Sequence, residues 1–230
     1  EPLLDEVLGR QDTLTLADHG AGKSYLGFIL YDLYLKDRPS HIYGIETRDE
    51  LVEKSRALAA RLDFPRMSFL NATVAESIQS DALPLTIDIV TALHACNTAT
   101  DDAIQFALAK QARHIVLVPC CQAEVAAVLR KHKNESFGMT PLSEIWRHPI
   151  HTREFGSHLT NVLRCLQLES HGYQLTVTEL VGWEHSMKNE LIIATKTGMP
   201  RKNARERLQQ ILQTLNLQEL EGRFLTPQPA

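Results

Sequence analysis

The chain of 230 residues carries a net charge of −4, with 43% hydrophobic and 23% charged residues, the proportions of an ordinary globular protein. That length suffices for one large domain or two small ones, while no run of eighteen apolar residues argues for a membrane span. The acidic balance argues against broad coating of a phosphate backbone.

Seven short β-branched or apolar runs read as strands: Thr13–Ala17, His41–Glu46, Met67–Asn71, Ile87–Leu93, His114–Pro119, Tyr173–Leu180 and Glu190–Lys196. Helical spacing of apolar residues fills the intervals. It predicts helices over Lys23–Leu35, Arg48–Leu62, Thr100–Gln111 and Gln122–Lys133, then over about Thr152–Ser170 and about Arg201–Leu220. Strand and helix alternate as in a parallel sheet covered on both faces. Only Val181–Asn189 separates the last two strands, which suits an antiparallel pair. Because the chain opens at Glu1 with neither a methionine nor a signal segment, sequence upstream is expected. The four cysteines, Cys96, Cys120, Cys121 and Cys165, then read as thiols of a reducing, cytoplasmic setting rather than a disulfide framework.

The stretch after the first strand, ADHGAGKS (residues 17–24), ends like a triphosphate-binding loop. That loop needs glycine where Ala17 stands, and a carboxylate at Asp18 would repel phosphates held there. The chain also lacks a second strand ending in the aspartate that would hold magnesium. A dinucleotide fold wants a packing glycine where Tyr25 stands. Asp18, Gly20 and Gly22 suit another ligand better. The glycines let a turn bend and a ligand lie against the main chain, the following helix is expected to point free N–H groups at it, and an acidic residue suits a cationic amino-acid end. S-adenosylmethionine has that end and no phosphate. Glu46, closing the second strand, can accept hydrogen bonds from both ribose hydroxyls.

Asp18-His19-Gly20-Ala21-Gly22, a helix, a strand closed by Glu46 and five further strands resemble a class I S-adenosylmethionine-dependent methyltransferase. GAGKSYLGFILYDLY, LHACNTATD, VPCC and EHSMKNEL are similar, over roughly residues 10–200, to a subgroup with the patterns Asp-x-Gly-x-Gly-Lys-Ser-Tyr-Leu, Leu-His-x-Cys, Pro-Cys-Cys and His-Thr-Pro-Lys-Asn. It includes bacterial proteins and eukaryotic methyltransferase-like proteins. His19 replaces the commoner Cys or Gly, and Met187 the proline. The resemblance implies a Rossmann-like seven-stranded sheet of order 3-2-1-4-5-7-6, strand seven antiparallel, with residues 1–200 as the methyltransferase domain and 201–230 as a C-terminal helix and tail. It implies that Asp18, Gly20 and Gly22 line the methionine end, that Glu46 holds the ribose, and that the adenine sits near Asn71 and Ala72. Leu93 and His94 complete the cofactor surroundings, while Lys23 and Ser24 begin the first helix.

His94 and Cys96 follow strand four, and Cys120 and Cys121 follow strand five, the edge where open α/β sheets bind ligands. Three readings stay open: walls around the reacting centre with His94 as a base, a zinc or soft-metal set of poor spacing, or inert buried thiols. The first reading, with His94, Cys96, Cys120 and Cys121 at the reacting centre and no metal, is the expectation adopted. Lys188 and Asn189, in the loop before strand seven, are candidate acceptor contacts, or simply part of a hairpin. His148, His151 and His158 fit no motif. Leu93-His94-Ala95-Cys96 stands where exocyclic-amine methylases carry an Asn/Asp-Pro-Pro-Tyr/Phe sequence, so the acceptor stays open. RNA is favoured from the resemblance, with a small molecule, a protein or a fold retained only for assembly as alternatives. Four cations at Arg201, Lys202, Arg205 and Arg207 are either a solvated helix face or a nucleic-acid contact.

Overall fold

The structure is a computed structural model that describes residues 13–93, 95, 97–119, 122–132, 141–180 and 189–227. Seven strands, β1 (Thr15–His19), β2 (His41–Glu46), β3 (Met67–Asn71), β4 (Ile89–Leu93), β5 (His114–Val118), β6 (Tyr173–Glu179) and β7 (Glu190–Lys196), form one sheet. Its order is β3-β2-β1-β4-β5-β7-β6, with β7 antiparallel to β6, as the resemblance implies.

The chain divides into two compact units, residues 1–95 with 102–117, and 96–101 with 118–230. In the first, β1 is flanked by β2 and β4, both parallel to it. Leu14, just before β1, with Leu16, Ile42, Phe69 of β3 and Ile89, buries in one cluster with Phe28, Tyr31 and Leu35. The helix expected over Lys23–Leu35 is two segments, α1 (Tyr25–Leu30) and a π-turn over Tyr31–Leu35. Ser24 stands before α1 in the left-handed region, φ 54°, which stops the helix reaching back to Lys23. The π-turn, closed by Lys36 N–H donating to the Tyr31 carbonyl at 2.8 Å, lets both Tyr31 and Leu35 bury.

Helix α2 (Asp49–Arg61) follows β2. The short α3 (Val74–Gln79) goes beyond the expectation from hydrophobic spacing, yet its signal is local. Thr73 and Glu76 form a capping box in which the Thr73 hydroxyl accepts from the Glu76 N–H, and Glu76 accepts from the Thr73 N–H at 2.8 Å. Helix α4 (Ala99–Ala109) ends two residues before the expected Gln111, which takes φ 53°.

In the second unit α5 (Glu124–Lys131), α6 (Pro149–Ser170) and α7 (Ala204–Thr214) share a leucine-rich core with Val125, Leu129, Leu159, Leu163, Leu208 and Leu212. Proline at the start of α6 suits a first-turn position whose N–H has no helical partner, so this helix begins three residues before the expected Thr152. Helices α5 and α6 approach so closely at Gly156 that an added Cβ would stand 2.6 Å from the Ala126 Cβ. The C-terminal helix expected to reach Leu220 stops at Thr214, because Asn216 takes φ 53°. A 3-10 turn (Gln218–Leu220) and α8 (Glu221–Phe224) follow. No helix among the described residues is long and apolar enough to cross a membrane.

Candidate functional site

Strand register brings the expected carboxylates together. Asp18 pairs with Gly44 on one side and Thr91 on the other, and Glu46 pairs with Asn71. Asp18 therefore lies inside β1 rather than after it. A central strand keeps both ladders until the backbone turns, which happens at Gly20 (φ 70°) and Gly22 (φ 58°). At Gly20 an added Cβ would stand 3.8 Å from the Ala95 Cβ, so the chain after β4 passes beside the turn.

The N–H groups of the loop itself are engaged within the protein. Gly20 and Ala21 both donate to the Ile45 carbonyl, at 2.9 and 3.0 Å, Gly22 donates to Glu46 Oε2 at 2.9 Å, and Ser24 donates to the Ala21 carbonyl at 2.7 Å. These bonds tie the turn to β2 and leave little for a triphosphate. Lys23 contributes nothing there either, since its ammonium lies over the Tyr25 ring, 5.8 Å from the centroid.

Asp18 is 3% exposed and its Oδ1 accepts from the Thr91 hydroxyl at 2.8 Å. Burial pushes its pKa up to about 6, against a smaller opposing pull from that bond. A carboxylate so disfavoured in its charged form is matched to a cation. Glu46 differs. Burial pulls its pKa upward, but hydrogen bonds from the Arg48 side chain, the Arg48 N–H and the Gly22 N–H hold it below the usual range. The sequence presents Glu46 as an open acceptor; in the structure the Arg48 fork covers it, Nε to Oε1 and Nη2 to Oε2, each at 3.1 Å. Asn71 Nδ2 donates to the Thr47 carbonyl at 3.1 Å, and the Ala72 N–H donates to the Glu46 carbonyl at 3.2 Å. Leu93 closes β4, half-buried.

His19 is a site residue that sequence reasoning passed over. It is 7% exposed, both ring nitrogens are buried without a hydrogen-bond partner, and the ring lies 5.5 Å from that of Phe106. Burial pushes its pKa down to about 4, against a smaller upward pull from Glu46. Its contribution to stability is thus complete above the unfolded value near 6.5 and is lost as pH falls toward 4. Asp18, adjacent, works in the opposite sense between 3.8 and about 6. Urea unfolding of His19→Leu should therefore show stability rising as pH drops from 7.5 to 5, while the wild type stays flatter. Parallel profiles would refute this account of His19.

In the second unit a cavity of about 530 Å³ is lined by Gln122, Ser157, Asn161, Asn189 and Glu190, with Glu154, His158 and Glu179 among its other walls. Its amides are held by a chain of bonds. Arg164, 1% exposed, donates from Nε and Nη2 to Asp101 at 2.7 and 2.8 Å, from Nη2 to the Asn97 carbonyl and from Nη1 to Asn161 Oδ1. Asn161 Oδ1 also accepts from Gln122 at 2.6 Å, and its Nδ2 donates to Glu190 at 2.7 Å. Of the expected acceptor contacts Asn189 lines this cavity; Lys188 lies outside the described residues, as do His94, Cys96, Cys120 and Cys121. Among the described residues no group of three His, Cys, Asp or Glu is placed to hold a metal. Cys165 is half-buried and its thiol is pushed up to about 12, chiefly by burial. In the basic segment Arg201 and Arg207 pair with Glu169 and Arg205 donates to the Thr226 carbonyl, while the Arg201 and Arg207 side chains stay 64% and 46% exposed.

The fold is shared with solved structures of low sequence identity. An rRNA methylase from Streptococcus thermophilus is 10% identical, with TM-score 0.52 over 81% of this chain and 88% of that one. SMU.1697c from Streptococcus mutans, assigned as a methyltransferase and solved with SAH, is 12% identical, with TM-score 0.51 over 85% and 96%. A search of curated proteins finds no match. A family model described as "Methyltransferase domain" matches residues 1–128, more than half of the chain. With the sheet order and the acidic glycine turn already in place, the chain belongs to this methyltransferase-domain family.

Proposed function

We propose that the protein is an S-adenosylmethionine-dependent methyltransferase in which Asp18, Gly20, Gly22 and Glu46 hold the cofactor. The observation that carries this reading is the register that sets Asp18 and Glu46 at the ends of adjacent strands around the Gly20–Gly22 turn. The donor set fits: a buried carboxylate that favours a cationic partner, a turn without Cβ walls, a second carboxylate at a strand end, and loop N–H groups already engaged where a phosphate would need them. Asp18 would take the ammonium group, Glu46 the ribose hydroxyls, and Asn71, Ala72 and Leu93 would border the adenine. When bound, the cofactor supplies a methyl group on a sulfonium, so transfer depends mainly on alignment and exclusion of water. His94 would serve as the base where the acceptor is a hydroxyl or carbon, and Cys96, Cys120 and Cys121 are carried with it as candidates by their sequence positions after strands four and five.

Calorimetry with S-adenosylmethionine, S-adenosylhomocysteine and ATP tests the reading. Binding of the first two without ATP supports it, whereas tight ATP binding with no response to the others sinks it.

For the acceptor, the resemblance favours RNA, but one observation supports a small polar molecule carrying hydrogen-bond donors. The cavity of the second unit presents Glu154, Glu179 and Glu190 beside its amides. Carboxylates repel phosphodiesters and accept from amines and hydroxyls. Labelled methyl donor should mark the small-molecule fraction of a cell extract; label confined to RNA would overturn this choice.

A further inference from the structure

We infer that Arg48 is an internal occupant of the diol site, a guanidinium fork that must leave Glu46 before a ribose can be held there. The inference rests on the reading that Glu46 takes the ribose hydroxyls.

A carboxylate offers about four acceptor positions. In Glu46 the Arg48 N–H and Nε approach Oε1 at 3.0 and 3.1 Å, and the Gly22 N–H and Arg48 Nη2 approach Oε2 at 2.9 and 3.1 Å. The Thr47 hydroxyl adds a longer contact to Oε1 at 3.4 Å. Two of the four close donors belong to the backbone and are fixed by the turn and by the start of α2. The other two belong to one side chain and address one oxygen each, which is the demand a vicinal diol makes. A diol and the fork are therefore alternatives for the same pair of positions.

The fork also covers the turn. A Cβ built on Gly22 would stand 4.0 Å from Arg48 Nη2, so the guanidinium lies over the main chain that the glycine leaves uncovered. Its release is inexpensive. The Arg48 side chain is 62% exposed, while Glu46 is 8% exposed, so the arginine can exchange this partner for water while the carboxylate stays in place. Arg48 thus sets how strongly the site discriminates a ligand with both hydroxyls, which replaces both bonds, from one that replaces a single bond and strands half the fork.

The test is calorimetric. Arg48→Ala should bind S-adenosylhomocysteine about two- to five-fold more tightly than the wild type, the range for releasing an exposed ion pair. The gap should narrow between about 0.05 and 0.5 M salt, because screening weakens the competing pair in the wild type alone. Arg48→Met, which keeps the apolar stem, should behave as the alanine variant does and guards against a folding defect. Equal or weaker binding by both variants overturns the inference and leaves the cofactor site standing. Tighter binding only in the variants supports it. If neither wild type nor variants bind, the cofactor reading of Glu46 falls, and the role of Arg48 with it.

Discussion

Asp18→Asn should unfold at higher denaturant concentration than the wild type at pH 7.5, yet lose binding of S-adenosylhomocysteine by more than about a hundredfold. Both effects come from one feature, a carboxylate held 3% exposed whose Oδ1 accepts from the Thr91 hydroxyl. Burial raises its pKa from 3.8 to about 6, so the folded protein binds this proton more tightly than the unfolded chain. The stabilisation that protonation brings is complete below about 3.8, is lost as pH rises through about 6, and stays absent above it. At pH 7.5 the folded state carries a desolvated anion at a cost of roughly 3 kcal/mol, reckoned from that shift. Asparagine keeps the Oδ1 acceptor for Thr91 and removes the charge, so a gain of about 2–3 kcal/mol is expected. The ligand's ammonium loses a buried partner, a change of the size seen when one member of a buried charge pair is truncated. At pH 4, where wild-type Asp18 is largely protonated, the stability difference should nearly vanish. An asparagine variant less stable than the wild type at pH 7.5, or equally favoured at both pH values, would falsify the assignment of Asp18 as a strained anion awaiting a cation.

Arg164→Met should cost about 3–5 kcal/mol of stability, the largest single loss expected in the second unit. The guanidinium is 1% exposed and Asp101, its partner, is 7% exposed. Both bonds of the fork are short, at 2.7 and 2.8 Å. Removing the cation leaves Asp101 as an uncompensated buried charge, withdraws the donor to the Asn97 carbonyl, and takes one of the two donors from Asn161 Oδ1. Because most of the loss is the stranded carboxylate, the double variant Arg164→Met with Asp101→Leu should recover the larger part of it. Urea titrations of wild type, both single variants and the double variant close the cycle. A single variant within about 1 kcal/mol of the wild type would show that the pair is not a keystone. The same cycle bears on the cavity, since Asn161 is oriented through Arg164, and Asn161 orients Gln122 and Glu190.

Much of the fold can be read from the chain because its signals are local. Alternation and β-branching mark each of the seven strands to within a few residues, and glycine punctuation marks the turn after β1. The capping box of α3 was equally local, in Thr73 and Glu76, although hydrophobic spacing alone does not reveal it. The left-handed Gln111 and Asn216, which end α4 and α7, are less legible. Spacing there is still helical, and the stop depends on how the next segment packs. In α6, Ser157, Asn161 and Arg164 stand at i, i+4 and i+7. Polar residues at helical spacing between leucines were a visible hint of a buried polar stripe, but not of its partners Asp101 and Gln122 in other elements.

Residue type and spacing alone set the order of chemistry along the chain: an acid near a strand end, a glycine turn, and a second acid closing the next strand. The state of each group came from packing across the fold. Asp18 is a strained acid because packing removes water from it, Glu46 is a low-pKa acceptor because Arg48 and Gly22 reach it, and His19 is neutral because Phe106 and its neighbours bury it. Solvation and partnership depend on atoms brought together across the fold, and a local pattern cannot carry them.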